Sequence, residues 1–200
     1  MEHYIHSFLP SEDPEHVPLL LLHRTGGDEG DLVPLARRIW PGAAILALRG
    51  NVLEAGRPRF FRRVGQGDFD RDDLKRRTGE LGAFVEVACR IYRIKPPVAL
   101  GHSNGANIIW SLLLAGTRAL SGAILFRPML PFDPHPIADL KGFPVLITAG
   151  DSDPIVVPQR AEDLPRICRE AGADVTYKLT AAAHDLVKED ERAARRWLGP

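Results

Sequence analysis

The chain has 200 residues, of which 44% are apolar and 26% are charged, with 26 lysines and arginines against 26 aspartates and glutamates. At that length a folded unit buries roughly 70% of the surface its unfolded chain exposes, so neither disulfide nor metal is required to hold it. The balanced charge lacks the electrostatic footprint of a nucleic-acid or anionic-membrane binder.

Val17–His23 (VPLLLLH) is apolar on both faces, which predicts a buried parallel strand. Gly26, Gly27 and Gly30 follow as a flexible loop. Asp31 stands where it would cap a helix whose Leu32, Leu35, Ala36 and Ile39 share one face, with Pro34 in its first turn and Pro41 at its end. Ala43–Leu48 predicts the next strand, and a Gly/Arg-rich loop runs from Arg49 to about Asp68. Asp70–Tyr92 carries the stripe Leu74, Leu81, Val85, Cys89 and Tyr92 of a long helix, stopped by Pro96 and Pro97. A strand at Val98–Gly101, a helix from Asn104 to about Gly116 and a strand at Gly122–Phe126 come next, then an irregular loop over Arg127–Gly142 with four prolines. Phe143–Ala149 and Asp174–Leu179 predict two more strands, Pro158–Ala171 a helix ended by Gly172, and Asp185–Leu198 the last helix. Residues 3–9 supply an edge strand. Short apolar runs alternating with helical segments predict an α/β protein: a mostly parallel sheet of about six or seven strands with helices on both faces. No composition break divides the chain, which predicts one domain over 1–200.

Residues 101–105 read Gly-His-Ser-Asn-Gly, a G-x-S-x-G set between an apolar strand and a helix. That is the setting of the nucleophile elbow of α/β-hydrolases. The turn is tight enough to demand glycine at its flanks, and Ser103 would project from the strand end beside a helix N-terminus. A serine hydroxyl needs a base, and in this fold the acid follows the serine and the histidine comes last. Asp153 follows the strand Phe143–Ala149 in Gly-Asp-Ser-Asp-Pro; it is preferred over Asp151, being further into the loop and fixed by Pro154. His184 follows the strand Asp174–Leu179 across small residues, whereas His102 sits within the elbow and His135 in the proline-rich loop. The expected catalytic residues are therefore Ser103, Asp153 and His184, acting by acyl transfer in two steps. Of the two N–H donors an oxyanion needs, one is Asn104 and the other lies at Arg24 or Thr25, in the loop after the first strand.

The segments His23-Arg24-Thr25-Gly26-Gly27-Asp28-Glu29, Arg49-Gly50-Asn51-Val52, Pro58-Arg59-Phe60-Phe61-Arg62-Arg63, Ser103-Asn104-Gly105-Ala106-Asn107 and Phe126-Arg127-Pro128-Met129 together resemble the bacterial carboxylesterase/phospholipase-like family of α/β-hydrolases. This branch is related to acyl-protein thioesterases and to hydrolases of hydroquinone-stress operons, and the resemblance covers essentially the whole chain. It implies a minimal hydrolase with no cap domain, a homodimer, hydrolysis of small carboxylic esters, and Thr25 as the second oxyanion donor. The family has glycine where this chain has Arg24. That arginine would either distort the oxyanion hole or set a cation beside the acyl or leaving group, favouring acidic substrates.

Arg57, Arg59, Arg62 and Arg63 flank Phe60 and Phe61, which reads foremost as a loop anchored by two aromatics, and secondarily as a pocket rim or dimer contact. Arg24, Arg127 and Met129 are candidates for the substrate pocket, with Leu130 and Phe132 beside them. No His/Asp/Glu cluster has metal-ligand spacing and no phosphate-binding loop is present, so neither metal nor cofactor is expected. Met1–Pro10 has no signal-like apolar stretch, no run reaches the ~18 residues of a membrane span, and Cys89 and Cys168 stand apart, which together predict a cytoplasmic protein. The expected partner is a small ester. A thioesterase or lysophospholipase would use the same triad, and a catalytically silent hydrolase fold that binds a ligand is the reading from another class.

Overall fold

Four consecutive leucines form strand β2 (Leu19–Leu22), and all are buried because the sheet they enter is covered on both faces. That sheet, in a computed structural model describing residues 4–65, 68–117, 119–130, 138–156 and 162–199, has seven strands. In spatial order they are β1 (His6–Leu9), β3 (Ile45–Leu48), β2, β8 (Val98–His102), β9 (Gly122–Phe126), β10 (Pro144–Gly150) and β11 (Asp174–Thr180). β1 is antiparallel to β3; every other pairing is parallel. Alternate side chains along a strand face opposite ways. Leu20, Leu22, Ala99, Leu125 and Ile147 accordingly pack towards α2 (Arg71–Tyr92), α3 (Asn104–Leu114) and α4 (Asp163–Glu170). Leu19, Leu21, Leu100, Ile124 and Leu146 pack towards α1 (Val33–Ile39) and α5 (Lys188–Leu198). This is the α/β-hydrolase architecture.

Local signals set the helix ends unevenly. Asp70 caps α2, its carboxylate accepting the Asp73 N–H at 3.0 Å. Asp31 does not cap α1 as expected; Leu32 takes the flanking position with no side-chain cap. α5 begins at Lys188, not Asp185, because the Asp190 carboxylate accepts the Val187 N–H at 2.9 Å and fixes the first turn there. The expected start of α4 at Pro158 lies outside the described residues. The segment expected as an irregular loop after β3 contains two short hairpins, β4 (Val52–Glu54) with β5 (Arg57–Arg59) and β6 (Arg63–Gly65) with β7 (Asp68–Phe69). Strands this short carry no readable period, and Phe60 and Phe61, both fully buried, hold the segment to the core.

The parallel strands deliver their carboxyl ends to one edge, and α3 must pass close to β2 to leave it. A Cβ on Gly105 would meet the carbonyl of Leu22, main chain that has no freedom to withdraw. Gly105→Ala is therefore expected to destabilise the protein by about 3 kcal/mol or more, measured by urea unfolding.

Candidate active site

Four neighbouring strands each end in a residue of the site: Ser103 follows β8, Arg127 follows β9, Asp153 lies in the loop after β10, and His184 lies in the loop after β11. Ser103 has φ 52° and ψ −111°, a backbone conformation costly for a residue with a Cβ. The surroundings hold it there: the Ser103 N–H donates to the Phe126 carbonyl at 2.9 Å, and its carbonyl accepts the Asn107 N–H at 2.9 Å. The hydroxyl is thereby turned out of the strand, half-buried, towards His184.

His184 Nε2 lies 2.9 Å from Ser103 Oγ, and Nδ1 lies 2.8 Å from Asp153 Oδ2. Asp153 is 3% exposed, and its other oxygen accepts the N–H groups of Ile155 and Val156 at 2.8 and 3.0 Å. A carboxylate accepts only, so Nδ1 carries the proton and Nε2 is left to accept from the serine. Asp151, the rival acid, is exposed and accepts the Ala182 N–H at 3.2 Å, bracing the histidine loop from its backbone.

Two further histidines hold this geometry. His102, 4% exposed, donates from Nε2 to the His184 carbonyl at 3.0 Å. Burial pushes its pKa down to about 4, so it is neutral near pH 7. His23, 1% exposed, accepts the Gly50 N–H on Nε2 at 2.9 Å, which leaves Nδ1 to donate to the Arg24 carbonyl at 2.6 Å. Burial lowers its pKa as well. His23 thus ties the loop after β2 to the loop after β3. Arg59 adds a second tie, donating from Nη1 to Thr25 Oγ1 at 2.8 Å. Among the described residues the N–H groups of Thr25 and Asn104 have no acceptor, and both residues line the cavity in front of Ser103.

That cavity holds about 850 Å³. Ser103, His184, Arg24 and Met129 line it, together with Arg57, Arg59, Arg63, Phe69, Asn107 and Ile155. Arg24 has no left-handed backbone, so it takes the glycine position of the family without strain, and its guanidinium reaches out to Asp185 at 2.6 Å. Met129 is held by its N–H, which donates to Asn107 Oδ1 at 2.7 Å. Phe132 and His135 lie outside the described residues.

Arg127 is a correction. Expected at the pocket, it has no exposed surface and does not line the cavity. Its guanidinium pairs with both oxygens of Asp190, at 2.9 and 2.8 Å, and donates to Thr148 and Thr180 hydroxyls. It also donates to the carbonyls of Ala183 (3.0 Å) and Asp185 (3.3 Å), the two residues flanking His184. Sequence patterns missed this because strand-end arginines on the carboxyl edge of a sheet usually face ligand, and its acid partner lies 63 residues away. Among the described residues no group of three or more His, Cys, Asp or Glu side chains could hold a metal ion, and no helix is long and apolar enough to cross a membrane.

No family model matches the sequence. It is 43% identical over 181 residues to MhqD of Bacillus subtilis (strain 168), a protein bearing the name of a hydrolase, with 90% of each chain covered. The carboxylesterase of Bacillus cereus superposes with a TM-score of 0.94 at 43% identity, covering 98% of this chain and 93% of that one. A carboxylesterase from Mesorhizobium loti gives 0.92 at 34% identity, covering 98% and 95%.

Two expectations follow from the buried groups. Arg127→Met leaves the Asp190 carboxylate buried without its partner; unfolding free energy should drop by about 3–5 kcal/mol, and kcat should fall more than KM changes, because the His184 loop loses its anchor. Denaturant melts and steady-state kinetics on an ester read the two effects. His102 has a folded pKa of about 4 against an unfolded value near 6.5, so the stability held by its neutral form is complete above pH 6.5 and is lost as pH falls from 6.5 towards 4. Unfolding free energy measured across that window should fall less steeply in His102→Gln, by up to roughly one proton of linkage.

Proposed function

The chain belongs to the carboxylesterase/phospholipase-like family of α/β-hydrolases, and from that premise we propose that it hydrolyses small carboxylic esters through Ser103, His184 and Asp153 by way of an acyl-enzyme. The observation that carries the reading is the unbroken hydrogen-bonded chain from Ser103 Oγ through the His184 ring to Asp153, 2.9 and 2.8 Å long, opening on the cavity.

His184 Nε2 takes the Ser103 proton as Oγ bonds to the ester carbonyl carbon. The carbonyl oxygen gains the negative charge, and the N–H groups of Thr25 and Asn104, without acceptors among the described residues, receive it. Collapse breaks the bond to the alcohol oxygen, which leaves with the proton from Nε2. Water then attacks the acyl-enzyme, giving its proton to Nε2; the acid departs and Ser103 regains its hydrogen. Asp153 stays ionised throughout and steadies the imidazolium formed in each half.

An assembled triad weighs against a catalytically silent binding protein. The reading extends to a homodimer in the cytoplasm. The family resemblance supports the dimer. Two free cysteines, Cys168 with its thiol pushed up to about 12 by burial, suit a reducing compartment.

Ser103→Ala should lose fluorophosphonate labelling and lower the turnover of p-nitrophenyl butyrate by roughly 10⁴-fold or more, with its thermal midpoint close to that of the parent. Labelling that persists in Ser103→Ala would assign the nucleophile elsewhere.

A further inference from the structure

The cavity holding Ser103 is lined by four arginines, Arg24, Arg57, Arg59 and Arg63, against one lining carboxylate among the described residues, Asp31. Among the described residues Arg59 and Arg63 share one acid outside the lining, Glu54. Arg59 reaches it at 3.3 Å and Arg63 at 2.6 Å, while Arg57 stands opposite it in the β4–β5 register. Glu54 is held below its ordinary pKa, first by the Arg63 hydrogen bond, and so stays ionised. One carboxylate does not neutralise three guanidiniums. Arg59, 4% exposed, has its pKa lowered chiefly by burial; Glu54 pulls it up, and the charges of Arg63 and Arg57 push it down.

Arg57 has no carboxylate at ion-pair distance among the described residues. Its hydrogen bond to the Thr25 carbonyl is a long one, 3.4 Å. The arginines are also fastened to the reacting centre. Arg59 holds Thr25 Oγ1, and the Pro58 carbonyl accepts the Gly26 N–H at 2.8 Å. A solvated surface arginine needs no explanation. An unpaired one beside two that share an acid, on the wall of a cavity that also holds a serine–histidine pair, has a chemical use.

We infer that this wall is a subsite for an anionic group, carboxylate or phosphate, carried by the ester substrate, with Arg57 as its principal ligand and Arg63 beside it. Guanidinium forks match both anions with paired N–H donors. The inference rests on Ser103 being the nucleophile, since it names the substrate of that same site. A neutral ester of similar size offers these guanidiniums no charged acceptor, so charge sets the preference.

Binding to Ser103→Ala protein reads the subsite without turnover. Mono-p-nitrophenyl adipate is compared with p-nitrophenyl hexanoate by calorimetry, at low and high ionic strength. The anionic ester should bind about tenfold tighter or more at low salt, and the margin should shrink as salt rises. Adding Arg57→Gln, or Arg63→Gln in a second variant, should erase most of it. Competition by inorganic phosphate against acetate then names the preferred anion. Equal affinity for the two esters, or a preference that both substitutions leave intact, overturns the subsite. Turnover by the wild-type protein is scored separately: hydrolysis of neither ester removes the hydrolase reading and leaves the binding result standing.

Discussion

A guanidinium with no exposed surface, Arg127, is the interaction on which the site depends. It sits at the end of β9 with φ 52° and reaches three other parts of the chain: Thr148 on β10, Thr180 on β11 and Asp190 in the first turn of α5. Isolated in a protein interior such a charge would be costly, and it is tolerable only because its donors meet two carboxylate oxygens, two hydroxyls and two carbonyls. Two of those acceptors flank His184. The imidazole is therefore located by a buried ion pair on one side and by the His102 ring on the other, before it meets Ser103.

The loop after β2 is arranged by the same logic with neutral groups. His23 follows β2 and spends both ring nitrogens on main chain, one on the Arg24 carbonyl and one on the Gly50 N–H. Asn104 works from the other side, its Oδ1 accepting the Phe60 N–H at 2.8 Å. The elbow, the loop after β2 and the segment between β3 and α2 thus form one hydrogen-bonded unit. Within it, the Thr25 and Asn104 N–H groups have no acceptor among the described residues. Donors held in place beforehand need no reorganisation when charge develops in front of them.

The hairpin arginines show how a surface segment becomes part of a site. Phe60 and Phe61 bury themselves in the core, and the residues before them are then obliged to lie along the cavity. The aromatics supply the anchorage, and the arginines on either side of them supply the electrostatic character of the wall.

The sequence by itself determined the strand–elbow–helix from Val98 to about Gly116, the order of the main-sheet strands and their helices, and the two-faced sheet, because apolar runs, proline stops and a glycine-flanked serine are local signals. It also singled out Ser103, Asp153 and His184 by their order after successive strands, and the structure brings those three side chains into one hydrogen-bonded line. What it could not determine were contacts between residues distant in the chain. Arg127 reads from its position as a pocket residue, yet its partner Asp190 lies in the first turn of α5, and no local pattern announces a buried pair across 63 residues. The start of α5 at Lys188 instead of Asp185 is set by the Asp190 carboxylate, which serves both its own first turn and Arg127. The hairpins of residues 52–69 are too short to show a period, and the convergence of their arginines on Glu54 and the cavity exists only once two phenylalanines are buried beneath them. Local chemistry is written in neighbouring residues, whereas charge pairing and burial are decided by which distant segments the sheet brings together.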